Sequence, residues 1–409
     1  MIHRLALLPL AFSVLACTGQ SGPSEPPALL TTLPRDLTTG EQSLQSSANA
    51  FSFQLFSRVS EADPNKSVFV SPLSVSFALG MALNGAAGDT YAEIAQTLGF
   101  QGLGEADINE SYRSLVELLR TLDPSIEMDV ANSVWHDQFY QIQPTFSSTL
   151  SDYFSAGVFS RSFASPSTVT DINDWVSART KGKIPTIIDQ IQDNEIMFLI
   201  NAIYFRGDWR VPFDPRLTKS AEFRTLDSRQ VPVPMMSRES NSHEFIFGQD
   251  IVAANLTYGN GAFAMALLVP NDGSDVNELI ESMSIQRWNS IRARFSTGRA
   301  ILRMPRFAME YKRTLNDDLK AMGMELPFLP GEAEFPRMIM TDSDLYISRV
   351  EHRAAVDVDE VGTTAAAATA VGVGIVSAPP QLDFDRPFLF LIYEQISGTV
   401  LFLGKVVEP

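Results

Sequence analysis

The spacing of apolar residues changes character along the chain. From about Ser47, Phe51, Leu55, Phe56 and Val59 recur three and four residues apart, the period of a helix with one buried stripe. Comparable spacing predicts helices near residues 89–98, 107–121, 142–153 and 312–321. Apolar runs too short for a core helix predict strands at Phe198–Phe205, Ala262–Val269, Phe388–Tyr393 and Val400–Val407. Helices gather in the first half and strands in the second, and no internal period marks a solenoid. This order predicts an α+β fold, with helices packed on large, mainly antiparallel sheets rather than regular βαβ repeats.

The N-terminus follows a different logic. Residues 1–16 combine a short basic head carrying Arg4 with an apolar run from Leu5 to Ala16, the pattern of a signal peptide and too short to span a bilayer. Val14-Leu15-Ala16-Cys17 resembles a bacterial lipobox, with Leu at a position where it is less usual. That resemblance implies that Cys17 becomes the lipidated first residue of the mature chain; an ordinary signal peptide that happens to include a cysteine is the alternative. Residues 17–46 mix Pro, Gly, Ser and Thr with no sustained period and read as a flexible linker, leaving 47–409 as one domain. The expected location is outside the cytoplasm: lipid-anchored in the cell envelope, at the outer membrane or cell surface, or otherwise secreted. Cys17 is the only cysteine, so the exported domain must hold together without a disulfide.

Composition narrows the partners. Of 409 residues 45% are hydrophobic and 19% charged, enough apolar surface for a large core and too little charge for a disordered chain. The 31 basic and 48 acidic side chains give a net charge of −17, and no basic run offsets it, which argues against a nucleic-acid partner. Motif searches for catalysis return nothing: there is no G-x-S-x-G, no G-x-G-x-x-G, no P-loop, and His243-Glu244 lacks the second His of a zincin. With four His and one Cys no metal site is expected, and Asp357-Val358-Asp359-Glu360 is followed by Gly, Thr and Ala where a calcium loop needs oxygen ligands. No cofactor is implied and the chain is not read as an enzyme. A triad assembled from distant positions would escape such a search.

The most informative segment is Glu360–Ala370, EVGTTAAAATA, followed by VGVGIVSAPP. Alanine favours helix. Here Gly362 precedes the run, Thr363, Thr364 and Thr369 are β-branched, and glycines and prolines follow within ten residues. In an extended state Thr363, Ala365, Ala367 and Thr369 face one side and Thr364, Ala366, Ala368 and Ala370 the other. Small side chains on both faces let such a strand enter an existing sheet without steric obstruction. A plain Ala-rich surface loop is the alternative reading.

These residues, taken with others, resemble the serpin family over 47–409. Asn65-Lys66-Ser67-Val68-Phe69-Val70-Ser71-Pro72-Leu73-Ser74, Asn201-Ala202-Ile203-Tyr204-Phe205-Arg206-Gly207-Asp208-Trp209, Phe213, Thr218, Val233-Pro234-Met235-Met236, Met304-Pro305-Arg306-Phe307 and the closing Asp383–Pro409 occur in the family's order. The resemblance implies three sheets, eight to nine helices and an exposed reactive loop. It implies that Glu360, Val361 and Gly362 start the hinge, that Thr363, Thr364, Ala365, Ala366, Ala367, Ala368 and Thr369 form its inserting part, and that Val371–Pro380 is the bait. Ser71, Ser74, Asn201 and His352 match the shutter beneath the central sheet, and Trp209 matches the breach where the loop enters.

Fourteen residues on from Gly362, the spacing usual in inhibitory members, fall at Val376, so Val376–Ser377 is the expected reactive bond and Ile375–Val376 its nearest competitor. Val361 and Thr364 stand where Glu is frequent in the family, and neither brings bulk or charge into the hinge. No Lys or Arg occurs from Ala354 to Asp385, which leaves nothing to pair with the carboxylate of a trypsin-like pocket. A small aliphatic Val376 fits the shallow apolar pocket of an elastase-like serine protease. The expected function is a monomeric suicide-substrate inhibitor of such an enzyme. The alternatives are a non-inhibitory serpin serving as a surface binding or structural protein, and an inhibitor of papain-like cysteine proteases.

Overall fold

In the computed structural model, which describes residues 28–271, 274–340, 344–362 and 379–409, the chain becomes helical earlier than the apolar period suggests. Helix α1 spans Thr39–Ala62 and is started by a capping box: Glu41 N–H donates to the Thr38 hydroxyl at 3.1 Å and Thr38 N–H to Glu41 at 2.7 Å. Leu30, Leu33 and Leu37 pack on the core ahead of it. Over residues 28–46 the expected linker is thus corrected, because a Thr-x-x-Glu signal and three spaced leucines settle this stretch where composition alone suggested a tether; residues 17–27 lie outside the described residues.

The remaining elements follow in order. β1 is Val68–Val70, α2 Pro72–Leu83, α3 Gly88–Thr97, α4 Glu105–Thr121, β2 Glu127–Asp137, α5 Pro144–Phe154, β3 Gly157–Arg161, α6 Ser167–Arg179 and β4 Met197–Arg206. β5 is Lys219–Arg224, β6 Gln230–Phe247, β7 Ile251–Thr257, β8 Phe263–Pro270, α7 Val276–Glu281 and α8 Ile285–Arg292. β9 is Ser296–Pro305, β10 Phe307–Thr314, α9 Asn316–Ala321, β11 Glu351–Val358, β12 Gln381–Asp383, β13 Phe388–Glu394 and β14 Val400–Val406. The helix expected over 312–321 is shorter: Phe307, Met309 and Tyr311 alternate inward along β10, which runs on to Thr314 before α9 begins.

Among the described residues, nine α-helices surround three sheets. The largest has nine strands in the order β1-β14-β13-β8-β7-β6-β9-β12, with β5 beside β6. Every residue of β8, β13 and β14 is buried, which is why these segments read as unbroken apolar runs. The second sheet orders β3-β2-β4 and the third pairs β10 with β11. One core fills the space between helices α1 and α2 and the sheets, and a smaller cluster of Trp135, Ile172, Val176, Phe198 and Ile200 lies beneath α6.

β4 and β11 both run from one pole of the molecule toward the other, where Asp208, just past β4, makes an isolated bridge with Gly362, just past β11. Among the described residues no ladder joins the two strands between their starts and that bridge. A cleft therefore separates β4 from β11, with α2 beneath it.

Candidate functional site

The first turn of α2 holds both walls of this cleft. Ser71 is its N-cap and Pro72 its first residue, a pairing that starts a helix without wasting a backbone N–H. The Ser71 N–H donates to His352 Nε2 on β11 at 3.3 Å, and its hydroxyl donates to the Leu401 carbonyl at 2.9 Å. One turn on, the Ser74 hydroxyl donates to Asn201 Oδ1 on β4. Asn201 in turn donates to Asn132 of β2, and Asn132 to the Phe154 carbonyl at 2.6 Å. Burial pushes His352 down to about 4, so the ring is neutral at pH 7 and Nε2 keeps the lone pair that accepts from Ser71. The structure brings Ser71, Ser74, Asn201 and His352 together in one buried polar chain, and adds Asn132. Asn132 faces Asn201 in the β2–β4 register, a pairing that no local pattern announces.

The far end of the cleft closes on Glu360, Val361 and Gly362. Trp209 is buried, stacks on Tyr258 with centroids 4.5 Å apart, and donates from Nε1 to the Asp359 carbonyl at 2.9 Å. Its backbone N–H donates to the Val361 carbonyl at 2.7 Å, and that of Phe213 to the Glu360 carbonyl at 2.6 Å. The Glu360 side chain is buried, and its Oε1 accepts from Thr218 at 2.6 Å and from Arg306 at 2.5 Å. Burial works against its ionised form, but the Arg306 guanidinium and the Thr218 hydroxyl outweigh it and hold the carboxyl below its ordinary value. Thr218 and Arg306 belong to motifs visible in the sequence, yet only the fold shows that both serve Glu360.

Gly362 approaches the turn after β4 so closely that a Cβ there would lie 2.3 Å from the Gly207 carbonyl oxygen and 2.5 Å from Asp208 Cα. Only glycine allows that backbone contact. At the opposite pole the cleft widens into a cavity of about 230 Å³ between the start of β4 and the residues leading into β11, floored by Ala78, Leu79 and Ala82 of α2. Thr363, Thr364, Ala365, Ala366, Ala367, Ala368, Thr369, Val376, Ser377 and Cys17 lie outside the described residues. Among the described residues no group of His, Cys, Asp and Glu is placed to hold a metal ion, and no helix is long and apolar enough to cross a membrane.

Gly362 thus stands at the head of a cleft between two central strands, and a polar chain on the first turn of α2 reaches both strands at its base. The model of the family described as "Serpin (serine protease inhibitor)" matches residues 46–409. The chain is 31% identical over 370 residues to the corticosteroid-binding globulin of Pongo abelii, covering 89% of this chain and 90% of that protein. It is 30% identical over 380 residues to alpha-1-antitrypsin 1-5 of Mus musculus, covering 92% and 91%. Among solved structures, the thermophilic serpin tengpin in its native state superposes with a TM-score of 0.84 at 27% identity, covering 93% of this chain and 97% of that one. The chain belongs to the serpin family.

Proposed function

We propose that this serpin inhibits a serine protease by acting as its suicide substrate. The observation that carries the reading is Gly362, packed where no Cβ fits, at the head of a cleft whose walls share no ladder among the described residues. A loop leaving this point has a place to insert, and the residues that follow are small on both faces. The target's nucleophile attacks the Val376 carbonyl carbon; the Val376–Ser377 C–N bond breaks, the target's general acid protonates the departing Ser377 amine, and Val376 remains as the acyl group. Insertion of the freed strand beside β4 carries the acylated protease to the other pole before water attacks the ester. Val376 suits an elastase-like primary pocket, and the same mechanics act on a cysteine protease's thioester. The acting form is a monomer, exported and held to the cell envelope through a lipid on Cys17.

Incubation with an elastase-like serine protease should yield a complex that survives denaturing electrophoresis, with a released peptide whose mass begins at Ser377. Cleaved protein alone at every ratio overturns the reading.

The similarity to corticosteroid-binding globulin favours a second reading, a non-inhibitory binding protein on the same scaffold. Thermal melting separates the two. A large gain in Tm after loop cleavage marks insertion, and no gain marks a static scaffold.

A further inference from the structure

Glu195 and Arg349 face each other across the lower cleft. Glu195 stands just before β4 and Arg349 just before β11, and both line the 230 Å³ cavity. Arg349 Nε lies 2.8 Å from Glu195 Oε1, and Nη2 donates to Oε2 at 3.0 Å, a two-point contact. Glu195 also accepts from the Gln192 N–H at 2.7 Å and the Ser348 hydroxyl at 3.1 Å, while Arg349 donates to the Gln190 carbonyl at 2.6 Å and lies over the Phe198 ring. The Glu195 side chain is 1% exposed and that of Arg349 18%. Two other ion pairs tie the segment before β4 to β10 and β11, Asp189–Lys312 and Lys183–Asp357, but all four side chains are a third or more exposed. Exposed pairs of this kind contribute little, whereas a buried pair resists separation because each charge would be left without its counter-charge.

We infer that the Glu195–Arg349 pair is a lock on the last stage of strand insertion, an inference that rests on the inhibitory reading. The antiparallel bridge of Asp208 with Gly362 sets the register in which an inserted strand would descend beside β4. Continued one residue for one residue, it brings position 375 level with Glu195, about 43 Å below the bridge at the rise of an extended strand. The upper part of the loop can therefore enter while the pair stands, and only the residues next to the reactive bond meet it. A strand between β4 and β11 moves them apart by about 4.8 Å, which breaks contacts made at 2.8 and 3.0 Å. The lock keeps the intact protein from closing on its own loop and slows the final step that decides between trapping and release.

The test is Glu195→Gln with Arg349→Met, which removes both charges of the pair together, so that neither is left buried without the other; Glu351, 3.8 Å from Arg349 Nη1, keeps its contact with Thr314. In full-length protein, conversion to a loop-inserted form on mild heating should be on the order of tenfold faster. With an elastase-like protease, the number of inhibitor molecules consumed per trapped enzyme should fall toward one, while the association rate, set by the distant bait, stays unchanged. Arg349→Lys keeps a charge without the two-point contact and should fall between variant and parent. Complexes that form with an unchanged ratio and an unchanged conversion rate overturn the lock and leave the inhibitory reading intact. Absence of any complex from both proteins overturns the inhibitory reading, and unchanged conversion on heating then removes the lock as well.

Discussion

Gly362 and Gly207 meet backbone to backbone at the head of the cleft, so closely that a Cβ on Gly362 would lie 2.3 Å from the Gly207 carbonyl oxygen. This contact joins the end of β11 to the turn that leaves β4, so residues 360–362 are fastened by the close approach of Gly362 as well as by the Glu360 side chain.

Gly362→Ala should loosen that contact. The added methyl group must displace backbone, at a cost of about 1–3 kcal/mol. The urea midpoint of the intact protein should drop accordingly. Unchanged stability would show that the turn after β4 yields freely.

Stability should also depend on pH through the buried histidines. Burial holds both His352 and His243 at about 4 against an ordinary 6.5. Between these values the unfolded chain binds more protons than the folded one. Stability therefore rises with pH across this window and is lost as pH falls from 6.5 toward 4, by up to ~3 kcal/mol for each ring. Urea midpoints measured from pH 7 to pH 4 should show this slope, and His352→Gln should lessen it. An equal slope in the variant would place the titration elsewhere.

Thr363→Arg puts a charge at the start of the inserting segment. Burying that guanidinium slows insertion, so the variant should be cleaved as a substrate and consume far more inhibitor per trapped protease. Titration of residual protease activity reads the ratio directly, and an unchanged value would count against the hinge position.

Val376→Arg offers a cation to a trypsin-like pocket. Inhibition of trypsin should accelerate by orders of magnitude while that of an elastase-like enzyme declines. If the rate with trypsin stays negligible, the reactive bond lies at another position.

The sequence by itself determined whatever is local or repeated along the chain. The unbroken apolar runs of β8, β13 and β14 show as strands because both their faces are buried. The ordered motifs from Asn65 to the C-terminus are enough to show the family, and the small residues after Gly362 suggest a segment fit for insertion. Periodicity served less well where a capping box, rather than an apolar stripe, begins α1, and where an inward alternation carries β10 to Thr314. Tertiary structure alone decided which polar residues meet. Asn132 and Asn201 are 69 residues apart in the chain, Glu360 and Arg306 are 54 apart, and Glu195 and Arg349 are 154 apart. Each pair is made by strand register or by the closing of one sheet edge on another, so neither member carries a mark of its partner in its neighbours. The cleft is likewise a property of the fold, because it exists only where β4 and β11 come alongside and are held apart over α2.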